Sequence, residues 1–201
     1  VLSGPSFATE VARGLPTAVT VASENIEYAD AVVKLFHCPR FRAYTSNDVI
    51  GVELGGATKN VLAIAAGISD GLGYGANARA ALITRGLAEI MRLGMKLGGR
   101  QETFMGLAGI GDLVLTCTDD QSRNRRLGLA IGQGISLDQA VTDIGQAIEG
   151  LHTAKELAAL ADLQKVDMPI TQRVKRVLYD GESASAAVDA LLARGPKAEA
   201  L

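Results

Sequence analysis

The chain has 201 residues, 48% hydrophobic and 21% charged, with 20 Lys and Arg against 22 Asp and Glu for a formal net charge of −2. That size fits one medium domain, or a large domain carrying a small one, with ample core. The near-balanced charge, with its main basic cluster at Arg123-Asn-Arg-Arg126, argues against a nucleic-acid surface.

In chain order, residues 1–4 (Val-Leu-Ser-Gly) lack the basic flank and apolar stretch of a signal peptide, and the missing initiator methionine leads us to expect part of a longer polypeptide. Residues 17–22 and 41–45 read as strands from their β-branched and aromatic content. Between them, residues 25–37 place Ile26, Ala29, Val33 and Phe36 on one helical face. Strand, helix, strand with short connections predicts a parallel crossover. No glycine-rich turn precedes it, so residues 1–46 read as the tail of an α/β domain. From residue 47 to 201 the pattern is helical. Asn47 or Asp48 caps a central helix to about Ser69, and a second helix spans 77–97 with Ala80, Ile83, Leu87, Ile90 and Met91 on its buried side. Further helices are read at 112–118, from Ser122, and at 137–142, 153–163, 169–179 and 185–193, with a loose tail from Arg194. The longest uncharged part of the central helix, residues 60–69, is too short to cross a bilayer.

The central helix is hydrophobic nearly all round, which puts it at the middle of a helical packing. Lys59 then points into protein or into a cleft, sharing a face with Val52, Gly56 and Ala63, whose small members admit a ligand or another backbone. Desolvation of an amine is one route to acid–base catalysis near neutral pH. The competing reading lays the lysine stem along apolar surface with its head in water. Cys38, Cys117, His37 and His152 have no metal-ligand spacing, so no metal is expected. Both cysteines read as reduced and structural in a cytoplasmic setting, and both histidines as surface or capping residues.

Two glycine clusters, at 70–77 and 106–112, look like phosphate loops, but neither follows a strand or has the dinucleotide order. Glycine there is better read as letting backbone pack on the central helix. Asp112 either caps the next helix or faces a ligand, and local pattern favours the cap. Ser122-Arg123-Asn124 is different: a serine cap, free N–H groups, an amide and a guanidinium can converge on one anion. Arginines in a first turn otherwise oppose the helix dipole.

Several ordered stretches, among them Ser3-Gly-Pro-Ser-Phe-Ala8, Val52-Glu-Leu-Gly-Gly-Ala-Thr-Lys-Asn-Val61, Ala65-Ala-Gly-Ile-Ser-Asp-Gly-Leu-Gly73, Thr103-Phe-Met-Gly-Leu-Ala-Gly-Ile-Gly-Asp-Leu113 and Ser122-Arg-Asn-Arg125, resemble the bacterial-type NAD(P)-dependent glycerol-3-phosphate dehydrogenases over about residues 3–155. The resemblance implies a mainly α fold: a helical C-terminal dehydrogenase domain of the 6-phosphogluconate dehydrogenase type at 47–201, preceded by the α/β remnant of a Rossmann domain at 1–46. It implies reversible NAD(P)H-dependent reduction of dihydroxyacetone phosphate to glycerol 3-phosphate, a glycerophospholipid precursor. Lys59 matches the catalytic lysine, which protonates the ketone oxygen. Gly4, Ser6, Asp112, Ser122, Arg123 and Asn124 match substrate-contacting positions, while Ala8, Arg123, Ala147 and Glu149 match cofactor-contacting ones, Ala147 standing where the family usually has valine. A second family lysine and most of the cofactor site belong to the part upstream of residue 1, so this chain alone is expected to fold without activity. A cytoplasmic homodimer without a membrane span completes the expectation. Two alternatives stand beside it: a related helical-domain hydroxyacid dehydrogenase, which would not need the Ser-Arg-Asn turn, and a non-enzymatic helical interaction module, which would need neither the lysine nor the glycine loops.

Overall fold

A computed structural model describes residues 1–195. The N-terminal part runs β1 (Leu2–Ser3), α1 (Ala8–Ala12), β2 (Thr17–Ala22), α2 (Ile26–Phe36) and β3 (Phe41–Ser46). β2 and β3 pair in parallel, Thr17 opposite Phe41 and Ala22 opposite Ser46, with α2 as the crossover, as the strand–helix–strand pattern requires. Asn25 caps α2 by accepting from the Tyr28 N–H at 3.1 Å. β1 was not legible in the sequence. It pairs antiparallel with the other side of β2, Leu2 opposite Val21, and two residues are too few to show a period. The same holds for the five-residue α1.

The rest is helical: α3 (Val49–Gly71), α4 (Gly75–Lys96), α5 (Gln101–Phe104), a kinked turn at Leu107–Gly111, α6 (Asp112–Thr118), α7 (Arg123–Gly132), α8 (Leu137–Ile144), α9 (Glu149–Gln164), α10 (Pro169–Tyr179) and α11 (Ala184–Leu192). α3 is the axis of the molecule, with α4, α6, α7, α9 and α10 packed on it. Residues 61–69 of α3 are all buried, because an all-round apolar helix has no face to give to water. By length and a mean hydropathy of 1.3 this 23-residue helix would pass for a membrane span, but 61% of that stretch is buried inside the protein. Asp48 starts it. Its Oδ1 accepts from the Gly51 N–H at 2.9 Å, while Oδ2 accepts from the Arg100 N–H at 2.8 Å and the Thr103 hydroxyl at 2.6 Å, so one carboxylate ties the start of α3 to that of α5. Burial pushes this carboxyl up, and the three hydrogen bonds together hold it below its ordinary value.

α3 and α7 meet through glycine. A Cβ on Gly67 would fall 2.1 Å from the Arg125 carbonyl oxygen, one on Gly128 2.0 Å from that of Ile64, and one on Gly132 2.5 Å from that of Ile68. No side chain fits in such a contact, so the two backbones touch directly.

Three sequence expectations are corrected. Ala80 is exposed, the buried stripe of α4 starting at Ile83. α9 begins at Glu149, four residues before the expected 153, because Asn124 on α7 accepts from the Gly150 N–H at 2.8 Å and supplies a cap from outside the segment. Cys117 is the buried thiol expected, pushed up to about 12 by desolvation, but Cys38 is exposed and packs in no core. The expected C-terminal tail beyond residue 195 lies outside the described residues.

Glu89 on α4 was not singled out by sequence. It is 1% exposed and caps α10 from a neighbouring helix, accepting from the Ile170 N–H at 2.7 Å and from the Thr171 N–H and hydroxyl at 3.2 Å each. Burial raises its carboxyl to about 7 against the pull of those bonds. The native value lies above the ordinary 4.5, so the folded state holds the proton more tightly, and the stability linked to this group is present below pH 4.5 and lost as pH rises through about 7. Glu89→Gln should destabilise the fold by about 1–3 kcal/mol in denaturant titrations, because it leaves a buried N–H facing an amide donor. The gap to the parent should narrow between about pH 5 and about pH 8; a gap that widens over that range contradicts this role.

Candidate active site

A cavity of about 350 Å³ opens where β1 and the following loop meet the first half of α3, lined by residues 1–4 with Ser6, Val52, Glu53, Gly56, Lys59, Asp112 and Glu149. Its centre is an ion pair. The Lys59 ammonium donates to Asp112 Oδ2, with the side chains 20% and 3% exposed. Asp112 opens α6, yet Gly111 before it caps nothing and Asp112 turns its carboxylate to α3 instead. Thr116, one turn on, donates to the Asp112 backbone carbonyl at 2.6 Å and to Oδ1 at 3.3 Å. Burial pushes the Asp112 carboxyl up; the Lys59 charge, the Thr116 hydroxyl and the Gly4 N–H pull the other way without cancelling it. The capping role that local pattern favoured for Asp112 is therefore overturned: a cation on a helix 53 residues away in sequence outcompetes its own helix N-terminus.

Glycine sets the width of the site. A Cβ on Gly55 would sit 2.3 Å from the Ala108 carbonyl oxygen, and one on Gly56 2.7 Å from Ser3 Oγ, so the turn at 107–111 and β1 close on α3 from two sides. The 106–112 cluster thus packs backbone on the central helix. In the 70–77 cluster, the Asp70 carboxylate is taken by Arg79 and Arg125.

A second layer stands behind the cavity. Asn60 Nδ2 donates to Glu149 Oε2 at 3.1 Å, and Asn124 Nδ2 donates to Asn60 Oδ1 at 3.0 Å. With its Oδ1 on the Gly150 N–H, Asn124 spends its amide on protein partners and lines no part of the cavity. Ser122 caps α7, its Oγ accepting from the Arg125 N–H at 3.2 Å. Arg123 is half-buried and its guanidinium has no hydrogen bond or ion pair among the described residues. On the outer side of this turn, Thr9 donates to Gln121 at 2.5 Å and Gln121 to Glu10 at 2.9 Å, which sets α1, and Ala8 at its start, beside the turn.

Of the residues the sequence singled out, the structure brings Gly4, Ser6, Lys59, Asp112 and Glu149 to one cavity and ties Asn124 to it through Asn60. Ser122, Arg123, Ala8 and Ala147 do not line it, the two alanines being exposed. The partner of Lys59 is a carboxylate. Missed by sequence were Asn60, Thr116, Ser3 and Glu53. Asn60 had a readable signal, a second polar residue inside a buried run; the others did not. His37 and His152 are exposed, and among the described residues no group of three or more His, Cys, Asp or Glu is placed to hold a metal.

Comparison with known proteins gives a consistent match. The sequence profile of the NAD-dependent glycerol-3-phosphate dehydrogenase C-terminus matches residues 48–189, and that of the N-terminus matches residues 1–29. The chain is 67% identical over 199 residues to a glycerol-3-phosphate dehydrogenase [NAD(P)+] of Thioalkalivibrio sulfidiphilus and 60% identical over 199 residues to one of Nitrosospira multiformis, covering 99% of this chain and 60% of the relative in each case. The crystal structure of glycerol-3-phosphate dehydrogenase from Coxiella burnetii superposes with a TM-score of 0.94 at 56% identity, over 96% of this chain and 60% of that one. The chain thus spans about 60% of the length of the curated relatives it matches.

The ion pair has a direct test. Lys59→Met leaves the Asp112 carboxylate buried without its cation, so its titration followed by carboxyl NMR should move further upward. A midpoint unchanged or moved downward would show that Lys59 does not hold Asp112.

Proposed function

The chain belongs to the NAD-dependent glycerol-3-phosphate dehydrogenase family, and on that premise we propose that the complete protein reduces dihydroxyacetone phosphate to glycerol 3-phosphate reversibly, with Lys59 as the proton donor. The observation that carries this reading is the Lys59–Asp112 pair set in a cavity of about 350 Å³. A ketone becoming an alkoxide develops negative charge on oxygen, and a positioned ammonium both stabilises that charge and delivers the proton. Asp112 aims the ammonium and balances its charge. In the oxidative direction the neutral amine takes the hydroxyl proton.

The residues present fit a nicotinamide beside the lysine: Val1, Leu2, Val52 and Gly56 give the cavity apolar or small walls, and Glu149, held by Asn60, offers an acceptor for a carboxamide. When bound, the reduced nicotinamide supplies the hydride to the carbonyl carbon. Glu149 and Gly4 would border it from this chain, and Ala8, Arg123 and Ala147 are the further positions the family resemblance assigns to the cofactor.

Phosphate is assigned to the start of α7. Among the described residues the Arg123 guanidinium has no hydrogen bond or ion pair, and the Arg123 and Asn124 N–H groups stand ahead of the one used by the Ser122 cap. An anion there answers the first-turn arginine that the helix dipole disfavours. Gripping a remote, non-reacting group orients the carbonyl at Lys59. The reading carries with it a cytoplasmic setting, in keeping with two unpaired cysteines. It also carries a homodimer, which light scattering on the complete protein would report as twice the chain mass or refute as a monomer.

In the complete enzyme Lys59→Ala should lower kcat by roughly 10²–10⁴-fold with a smaller change in KM. Turnover close to the parent's, in a variant shown to be folded, rules Lys59 out as the acid. Arg123→Lys keeps the charge but loses the planar fork, so KM for dihydroxyacetone phosphate should rise and competitive inhibition by inorganic phosphate weaken. Unchanged phosphate inhibition would move the anion site away from α7.

A further inference from the structure

The turn that opens α7 carries three arginines, and they are not equivalent. Among the described residues Arg126 is exposed, Arg123 is half-buried with no hydrogen bond or ion pair on its guanidinium, and Arg125 is buried with its side chain 9% exposed. Around Arg125 three separate pieces of chain converge. Its Nη1 donates to Asp70 Oδ2 at the end of α3, its Nε donates to Asp120 Oδ1 at 2.9 Å in the loop before α7, and Arg79 from α4 shares Asp70 Oδ2 at 2.6 Å. The Arg125 main chain is fixed as well. Its N–H is the group that Ser122 Oγ accepts, and its carbonyl lies on the bare Gly67 of α3.

Two carboxylates neutralise this guanidinium, and it does not line the cavity, so it is not the cation that meets a ligand. Burying charges for stability alone is a poor bargain, since desolvation offsets most of the attraction, whereas a planar fork held by two carboxylates fixes orientation. We propose that Arg125 is a positioning residue for the anion-binding turn: through Asp70 and Asp120 it holds Ser122 and Arg123 in place, without itself touching the substrate. This rests on the reading of Arg123 given above and extends it to Arg125.

The fork is what matters, because a lysine in its place reaches one carboxylate as a point charge and cannot bridge both. Asp120 supplies the outer half of the clamp from a side chain 65% exposed, so its loss leaves the buried Asp70 pair and the core intact.

The test uses the complete enzyme with dihydroxyacetone phosphate as substrate and inorganic phosphate as competitive inhibitor. Arg125→Lys should raise KM for dihydroxyacetone phosphate and the inhibition constant of phosphate together, by roughly 10-fold, with kcat held within about twofold, as expected when a binding group is misplaced rather than removed. Asp120→Asn should move both constants in the same direction by a smaller factor with no change in melting temperature. Lowered melting with both constants unchanged would make the cluster merely structural and overturn the proposal, as would a fall in kcat at constant KM. Where Arg125→Lys does not fold, Asp120→Asn decides alone. Parent enzyme that turns over dihydroxyacetone phosphate while both variants match it refutes the clamp only; parent enzyme without that activity refutes the functional reading and the clamp with it.

Discussion

Backbone contact between α3 and α7 is the constraint on which the rest depends. Gly67 and Gly71 on one helix face Gly128 and Gly132 on the other, and each hypothetical Cβ would collide with main-chain atoms of the opposite helix. The contact has no slack, so it fixes the register of the two helices as well as their distance. Lys59 lies eight residues before Gly67 on α3, about 12 Å at 1.5 Å per residue. Ser122 and Arg123 begin α7 one to two turns before Gly128. The proposed proton donor and the proposed phosphate grip are therefore carried by two rods whose relative placement is set by four missing side chains.

Around that contact the buried charges follow one rule: each is answered by a partner from a distant segment. Asp112 on α6 answers Lys59 on α3; Asp70 at the end of α3 answers Arg79 on α4 and Arg125 on α7; Glu89 on α4 answers the open N-terminus of α10. Asp48 does the same for α3 and α5. Each such group is costly to bury and worse to leave alone, so a helix that slid along its neighbour would strand a charge. Apolar packing makes the helical body stable, and these pairs select one arrangement of it. The cavity inherits that selectivity, since Lys59, Asp112 and Glu149 are held on α3, α6 and α9 by bonds between helices.

The sequence revealed what local chemistry decides. The parallel crossover followed from β-branched runs around an amphipathic helix, and the central position of α3 followed from an apolar surface with no polar side. Lys59 stood out because a buried run rarely carries a charge. Hidden were features decided by partners far along the chain. Asp112 looks like a helix cap until Lys59 is placed beside it. The start of α9 is invisible without Asn124, because the cap comes from another helix. Glu89 looks like one more acid on an amphipathic helix until α10 is docked on it. The glycine pairs 67/71 and 128/132 were on the page as letters, but only the crossing of α3 and α7 shows that they face each other.

Lys59 and the start of α7 are proposed to act on two ends of one molecule. A crystal structure of the complete protein with glycerol 3-phosphate bound measures this directly. The ligand's C2 oxygen should lie within hydrogen-bond reach of Lys59 Nζ, with its phosphate against the Arg123 guanidinium and the N-terminus of α7. A ligand whose phosphate lies away from α7, or whose C2 oxygen makes no contact with Lys59 while Asp112 keeps the ammonium, would contradict it.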